Sequence, residues 1–415
     1  FLFLLFINTK RTITSSQKLS KKDLKDYTGD CGPNAKYAFD VDAKILSIYG
    51  SGPMYDYTSD NEVPWHSYST EILYLFITDE ITSIGSYAFG VADQLKHLTL
   101  PYGILSIGNY AFYQCLALET VHMFPSVKTI GDSAFSSNYK LTSIELPNTL
   151  ETIGMSAFDD CRLLTSITIP ASVKSIGVGA FAKTKSLQTL VVDPNNKYYK
   201  SLNNVVFSMD GSTLVHYASA SSLTSYTIDS KVTTIYDYAF YECSKLTSIT
   251  FPQSVKIIPN DCLTESPNLK TITFLSDLTE IESHSFASCS SLTTVTYYGS
   301  VEPKYAAGSI FLNSPNLNSV IVFESYRNDY FCGKPVNRIY SPTPTQIPTS
   351  SSSDSGSKSK AGLIVGIIFG ILGAAGIAVG AFYFYKKRTN SLEDDKLLFQ
   401  SGDDSKRKDY YIHDT

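Results

Sequence analysis

Residues 141–163 read LTSIELPNTLETIGMSAFDDCRL, and residues 164–186 repeat the same pattern as LTSITIPASVKSIGVGAFAKTKS. About ten such units lie between residues 81 and 322. One bulky apolar residue recurs every 23 positions on either side of a gap, at Phe89, Phe112, Phe135, Phe158 and Phe181, then at Phe240, Leu263 and Phe286. A fixed period of this length is typical of a solenoid. One unit cannot bury its own apolar face, so stacked units must form a continuous core.

Each unit contains a strand signal followed by two turn signals. Residues 144–146 (Ile-Glu-Leu) alternate apolar and polar side chains, which predicts a short strand with one buried face. Pro147 ends this strand because proline has no N–H to donate to a ladder. Gly154 is expected to permit a tight turn, and the Ala157-Phe158 pair to begin a short helical turn on the opposite side. The pattern therefore predicts an α/β repeat solenoid with a parallel sheet on its concave face.

The third residue after each Phe position is small and can donate a hydrogen bond. The residues at this position are Cys115, Asn138, Cys161, Thr184, Cys243, Ser266 and Cys289. Buried backbone carbonyls need hydrogen-bond partners. We therefore expect these side chains to point inward and to bond the turn carbonyls of the neighbouring unit.

The repeated pattern resembles the leucine-rich repeats of BspA-type surface proteins over roughly residues 80–322. Residues 27–80, which include Cys31 and Trp65, look like the N-terminal cap of that family. The resemblance implies a leucine-rich-repeat solenoid over residues 81–340, with residues 323–340 as its C-terminal cap. It also implies exposure at a cell surface and adhesion to host cells, matrix proteins or other microbes. The family has no catalytic residues, and the resemblance assigns no cofactor.

Residues 193–222 interrupt the repeat. Residues 205–217 read as two strands joined at Asp210-Gly211, a pair that is typical of a two-residue hairpin turn. We expect a hairpin that projects from the solenoid. Two interpretations stay open: the hairpin is a ligand-binding protrusion, or it is a neutral insertion that still stacks on its neighbours.

Both ends of the chain carry export signals. The apolar start resembles the core of a truncated secretory signal peptide, which predicts a leader over residues 1–26; the alternative is a short apolar strand or anchor. Residues 361–385 contain no charged side chain and precede Lys386-Lys387-Arg388. A helix of this length spans the hydrocarbon core, and basic residues mark its cytoplasmic side. The layout predicts a single-pass type I protein of the plasma membrane and looks like the protist branch of the family.

Residues 341–360, which precede this helix, are rich in Ser, Thr and Pro and predict a flexible stalk. Within the helix, Gly362, Gly366 and Gly370 form a stripe of small residues. Such a stripe lets two helices approach closely, which favours a homodimer through the membrane segment. The alternative is composition alone, because Gly is frequent in membrane helices.

Residues 386–415 form the predicted cytoplasmic tail, which is polar. Glu393, Leu397 and Leu398 match an acidic dileucine sorting motif, although a pattern this short also arises by chance. The chain contains no kinase domain, so any signal would have to pass through partners of the tail.

Seven cysteines in an exported chain suggest disulfides, but the repeat argues against them. Cys115 and Cys161 lie two units apart, about 10 Å at the usual strand spacing. A disulfide needs Cα atoms within about 7 Å, so we expect the cysteines of the repeat to be buried free thiols. The sequence contains no Cys-x-x-Cys pair and no Cys/His cluster, which argues against a zinc site.

Ligand binding is expected at the outward strand positions of the concave face. The candidate residues are Thr99, His122, Glu145, Thr168, Thr227, Thr250, Thr273 and Thr296. This row is rich in hydroxyl groups and nearly uncharged, which suits a glycan or a protein loop bound through neutral hydrogen bonds. The alternative is that Thr occupies these positions only because it fits an exposed strand.

Composition and motifs exclude other classes of function. The chain is 43% hydrophobic and 18% charged, with a net charge of -5, which suits a folded protein. It has no long basic stripe outside the tail, which argues against a nucleic-acid partner. Gly-x-Ser-x-Gly, Walker and His-Glu-x-x-His motifs are absent from the sequence, so no enzyme is expected. The leading hypothesis is a cell-surface adhesin, and the alternative is a sensing or endocytic receptor.

Overall fold

The Leu-x-x-apolar-x-apolar segment of each unit forms a strand, and these strands lie side by side and parallel along one side of the molecule, which we name the front face. The structure is a computed structural model that describes residues 26–340. The front strands are Tyr74–Ile77, His97–Leu100, Thr120–Met123, Ser143–Ile144, Ser166–Ile169, Thr189–Val192, Ser225–Thr227, Ser248–Phe251, Thr271–Phe274, Thr294–Tyr297, Val320–Phe323 and Lys334–Ile339. Ile167 and Ile169 are buried while Ser166 and Thr168 are exposed, as the alternation predicts. The predicted solenoid with parallel strands is confirmed.

A later segment of each coil forms a second parallel ladder, which we name the back face, and the sequence pattern did not predict it. Its strands are Ile81–Ile84, Ser106–Ile107, Thr129–Ile130, Thr152–Ile153, Ser175–Ile176, Thr234–Ile235, Ile257–Ile258, Glu280–Ile281 and Lys304–Tyr305. The Ile residues of successive coils are in register, with Ile153 between Ile130 and Ile176. Most of these strands have two residues, so no alternation of polarity is available to identify them.

The segment predicted to be helical is a series of turns. The amide of Phe135 donates to the carbonyl of Ala157 at 2.9 Å, and the amide of Ser137 donates to Asp159 at 2.7 Å. These bonds join one coil to the next, whereas an α-helix would direct them to a carbonyl four residues earlier. Ser137 also has a φ of 61°, which a helix does not accommodate.

Within residues 26–340 the only helices are two short 3-10 segments, Asp60–Glu62 and His66–Glu71. The predicted α/β class is therefore wrong, and this part of the chain is a β-solenoid. None of its helices has the length and apolarity that crossing a bilayer requires. The leader, stalk, membrane helix and tail predicted at the chain ends fall in residues 1–25 and 341–415, outside the described residues.

The coils are bounded at both ends by antiparallel strands. At the N-terminal end Asp26–Asp30, Asn34–Asp40 and Ile45–Pro53 form a meander that leads into the first coil. At the C-terminal end Tyr330–Phe331 pairs with Lys334–Ile339. The Arg338 side chain there donates from Nε to the carbonyl of Tyr326 at 3.0 Å. Polar contacts of this kind cover a sheet edge that would otherwise be open to pairing.

A column of stacked Phe rings runs through the first five coils. The ring centroids from Phe89 to Phe181 are 5.3 to 6.0 Å apart in successive coils, and all five rings are buried. Trp65 closes the column at one end, 5.6 Å from Phe89, and its indole N–H donates to the carbonyl of Ala88 at 2.9 Å. His216 lies at the other end, 6.0 Å from Phe181. Offset aromatic stacking adds to the hydrophobic gain of burying each ring.

The predicted inward hydrogen bonds to the neighbouring coil form at five of the seven positions. The prediction is wrong for Thr184, which donates to the Phe181 carbonyl of its own coil at 2.6 Å, and for Cys243, whose thiol makes no hydrogen bond within residues 26–340. Cys115 Sγ donates to the Phe89 carbonyl at 3.2 Å, and Asn138 Nδ2 donates to the Phe112 carbonyl at 3.0 Å. The corresponding bonds of the later coils are made by Cys161, Ser266, Cys289 and Ser314. All seven cysteines are buried and free, which confirms the prediction made for the cysteines of the repeat. Burial raises the pKa of the Cys115 thiol to about 12, so it remains protonated and able to donate.

The insertion at residues 193–222 is a three-stranded antiparallel sheet, Tyr199–Leu202, Val205–Ser208 and Thr213–Tyr217. The two predicted strands are present, but the sheet does not project. Thr213–Tyr217 pairs in parallel with Thr234–Ile235 and so continues the back face. The sheet is apolar on both sides: Val206 and Val215 belong to the core of the N-terminal coils, and Phe207 and Leu214 to that of the C-terminal coils. The interpretation of a stacked insertion is therefore the one that the structure supports.

Acid is expected to weaken the fold through His216, which lies inside this insertion. Its ring is buried, Nε2 has no hydrogen-bond partner among residues 26–340, and desolvation lowers the pKa of His216 to about 3 from 6.5. The unfolded chain binds the proton more readily, so this contribution to stability is complete above about pH 6.5 and is lost as the pH falls toward 3. Between pH 7 and pH 4 the loss is roughly 3 kcal/mol.

Urea unfolding at pH 7 and pH 4 measures this loss. His216→Phe extends the Phe column and removes the titrating group, so its stability should depend less on pH by that amount. Carboxyl groups titrate equally in both proteins and cancel in the comparison. An identical pH dependence in the two proteins would show that His216 is not the responsible group.

Candidate ligand-binding face

The structure places all eight predicted site residues at outward positions of the front face, in two groups. Thr227, Thr250, Thr273 and Thr296 occupy aligned positions on four consecutive strands. The other four lie before the insertion: Thr99 is paired with His122, Glu145 follows the strand Ser143–Ile144, and Thr168 is paired with Val191. The two groups do not form one ladder, because the strands Thr189–Val192 and Ser225–Thr227 are not hydrogen-bonded to each other.

The four aligned threonines belong to a regular array of hydroxyl groups. A second row, two residues earlier on the same strands, consists of Ser225, Ser248, Thr271 and Thr294. Neighbouring strands are about 4.8 Å apart, and residues i and i+2 about 6.8 Å apart along a strand. The hydroxyls of Thr227, Thr250, Thr273 and Thr296 make no hydrogen bond to any residue between 26 and 340. They are available to a ligand or to water.

Threonines at the edge of the same strands behave differently. Thr247 Oγ1 donates to the Thr224 carbonyl at 2.7 Å, and Thr142 Oγ1 donates to the Glu119 carbonyl at 3.4 Å. These hydroxyls tie one coil to the preceding one, so their role is structural. The outward row has no such role in the fold.

The outward positions of the front face are almost without charge. Between Tyr74 and Tyr297 none of them is Lys or Arg, and Glu145 is the only carboxylate. A phosphate backbone or a sulfated chain would find no cation to bind there. This electrostatic character favours a neutral ligand.

Two outward residues at the N-terminal end of the front face were not among the candidates predicted from the sequence. Tyr74 and Phe76 are 51% and 59% exposed. They stand 23 positions before His97 and Thr99, so they occupy the equivalent positions of the first coil. The period of 23 would have identified them, but residues 27–80 were assigned to a cap and were not read as a coil.

Two more aromatic residues follow the ends of the next two front strands. The Tyr102 and Phe124 rings stack at 4.1 Å, and the Phe124 ring meets the imidazole of His122 edge-on at 5.0 Å. Tyr102 is 60% exposed. We name the set Tyr74, Phe76, Tyr102, His122 and Phe124 the aromatic end of the front face.

The remaining candidates do not assemble a reactive site. His97 Nδ1 is 2.9 Å from Thr120 Oγ1, and His122 contacts Phe124, so the two histidines have separate partners. In the part of the chain that the structure describes, no group of three or more His, Cys, Asp or Glu side chains is placed to hold a metal ion. The predicted helix-packing residues Gly362, Gly366 and Gly370 and the sorting residues Glu393, Leu397 and Leu398 lie outside residues 26–340.

Comparison with known proteins identifies the type of repeat. The model of the BspA type leucine-rich repeat region matches residues 67–208 and 215–334 in six copies. A leucine-rich repeat protein from Eubacterium ventriosum is 27% identical, with a TM-score of 0.64, and the match covers 72% of this chain and 79% of that one. A leucine rich cell surface protein from Faecalibacterium prausnitzii is 23% identical, with a TM-score of 0.57, and covers 82% of this chain and 100% of its own. The second likeness shows the fold alone. No curated protein matches the sequence.

Proposed function

Because this chain belongs to the BspA-type leucine-rich-repeat family, we propose that it is a cell-surface adhesin that binds its ligand on the front face. Leucine-rich-repeat folds are typically binding scaffolds, and family membership suggests a ligand-binding role. We propose a host-cell or matrix protein or a glycan as the ligand. The proposed location is the plasma membrane, with a type I anchor at residues 361–385 that follows from the uncharged segment of the sequence.

The observation that carries this proposal is the aligned row of Thr227, Thr250, Thr273 and Thr296, whose hydroxyls have no partner within the described residues. Strand propensity favours Val, Ile and Tyr as well as Thr, so it does not by itself explain a small hydroxyl at all four positions. A rigid solenoid presents such a row without losing conformational entropy on binding. Many weak contacts could then add up between two surfaces.

Changing Thr250, Thr273 and Thr296 together to Lys should abolish binding through this face. Three ammonium groups would fill the space above the strands and would carry charge onto a neutral surface, so we expect affinity to fall at least tenfold, about 1.4 kcal/mol or more. The purified full chain, coupled to beads, would be tested on epithelial cells, matrix proteins and a glycan panel.

The matched control changes Ser106, Thr129 and Thr152 to Lys. These residues form an equivalent aligned row on the back face. The control should bind like the wild type and should have the same thermal stability as the front-face variant. Equal binding by all three proteins would move the ligand site away from the threonine row, and no binding by the wild type would contradict the adhesin proposal.

A further inference from the structure

The aromatic end of the front face is an unusual surface for a folded protein. Single exposed apolar side chains are common and need no explanation, but contiguous ones indicate a binding site. Tyr74 and Phe76 are two residues apart on one strand and both more than half exposed. Two outward residues so spaced lie about 6.8 Å apart on the same side of a sheet. A second stacked pair, Tyr102 and Phe124, follows the ends of the next two front strands.

On the following coils, the outward position equivalent to Phe76 carries polar side chains. Thr99 and His122 are paired on adjacent strands, and Glu145 follows on the next coil. All three are exposed, and none of them forms a hydrogen bond or ion pair within residues 26–340. Hydroxyl, imidazole and carboxylate groups therefore stand within a few strand spacings of the exposed rings.

We propose that the aromatic end binds the apolar face of a neutral pyranose sugar in a glycan. Tyr74 and Phe76 form the stacking platform, and Thr99 on the next strand bonds hydroxyls of the stacked sugar. His122 and Glu145, two and three strands from Phe76, bond hydroxyls of the following sugar residues of the glycan. This inference rests on the proposed adhesin function and names the ligand class of its binding face.

The chemistry of a pyranose fits this arrangement. One face of the ring presents C–H groups, and an aromatic ring carries negative charge density on its face, so the two attract each other. The rim of the sugar presents hydroxyls that both donate and accept hydrogen bonds. Glu145 accepts, Thr99 can do both, and a ring nitrogen of His122 donates.

The charge of the front face favours a neutral sugar over charged glycans and over proteins as the ligand. With Glu145 present and no Lys or Arg at the outward positions from Tyr74 to Tyr297, a sialylated, sulfated or phosphorylated ligand would be repelled. Protein interfaces draw much of their binding energy from Arg as well as Tyr and Trp, and no outward position from Tyr74 to Tyr297 is Arg. The observations therefore favour a neutral glycan over a protein.

The test measures binding of the purified full chain to immobilised neutral oligosaccharides built from galactose, glucose, mannose and N-acetylglucosamine, with sulfated and sialylated counterparts. The variant Tyr74→Thr/Phe76→Thr carries residue types that the equivalent positions hold in other coils, so the fold should persist. We expect it to lose at least about tenfold in affinity. Phe76→Tyr should retain binding, and so should the control Tyr330→Ala, whose ring is 58% exposed far along the chain.

The inference is overturned if the double variant binds these sugars as the wild type does, or if charged glycans bind better than neutral ones. It is also overturned if binding to cells resists periodate, which cleaves sugar diols, and is lost after trypsin. In that last case the ligand is a protein. The variant with Thr250, Thr273 and Thr296 changed to Lys then shows whether the front face binds that protein. If the wild type binds neither sugars nor cells, both this inference and the proposed function fail.

Discussion

Replacing Phe135 with Ala is expected to lower the free energy of unfolding by about 3–5 kcal/mol. The ring is fully buried, and its centroid lies 5.3 Å from that of Phe112 and 5.7 Å from that of Phe158. Truncation removes both stacking contacts and leaves a cavity that rigid neighbouring coils cannot close. Urea unfolding, followed by the fluorescence of Trp65 at the end of the same column, measures the loss.

Phe135→Leu is the matched control for this experiment. Leu263 holds the same position in a later coil and is fully buried there, so the fold accommodates the residue. We expect a cost of about 1–1.5 kcal/mol, well below that of the alanine variant. If the alanine variant cost less than the leucine variant, the Phe column would not be a main source of stability.

A methyl group added at Gly154 is expected to destabilise the fold by about 1–3 kcal/mol or more. Gly154 does not have a positive φ, so the expected tight-turn role was wrong. Its role is close approach: a Cβ would lie 2.5 Å from the Asp132 amide nitrogen and 2.5 Å from the carbonyl carbon of Gly131. Both are backbone atoms of the preceding coil, which can move only if the stacking of the coils changes.

Gly90→Ala is the control for Gly154→Ala. A Cβ at Gly90 would meet nothing closer than 3.6 Å, and this residue also has no positive φ. Its stability should therefore change by no more than about 0.5 kcal/mol. Thermal unfolding of the two variants compares them directly, and an equal loss in both would contradict the close-approach explanation.

The repeat made much of the interior predictable. Because the period of 23 aligns one coil with the next, the sequence alone located the Phe column and the strands of the front face. It also predicted the hydrogen bonds from residues such as Cys115 and Asn138. A small hydrogen-bond donor at one position of a single unit would indicate nothing, but its recurrence at the same position in successive units predicted an inward side chain.

The features that were missed depend on contacts between coils. The Ala157-Phe158 segment has helix-compatible residues, but the Phe158 amide donates to Ala180 of the next coil. The local sequence pattern does not indicate which carbonyl this amide will bond. The back face was not predicted because strands such as Thr152–Ile153 are too short to show an alternation of polar and apolar residues. The insertion has two apolar sides, and only the structure shows that each meets a different core. Tyr74 and Phe76 were missed because their strand was assigned to a cap.

The central claim is that the front face binds the ligand, and a thiol-directed blocking experiment tests it most directly. All seven native cysteines are buried. In each of two variants, Thr250→Cys and Thr129→Cys, the new cysteine would therefore be the thiol of residues 26–340 that reacts readily. Each is labelled with a maleimide polyethylene glycol, and binding to the same cells, matrix proteins and glycans is measured. We expect the polymer at position 250, on the front face, to abolish binding and the polymer at position 129, on the back face, to leave it intact. If the polymer at position 129 abolished binding and the polymer at position 250 did not, the ligand site could not lie on the front face.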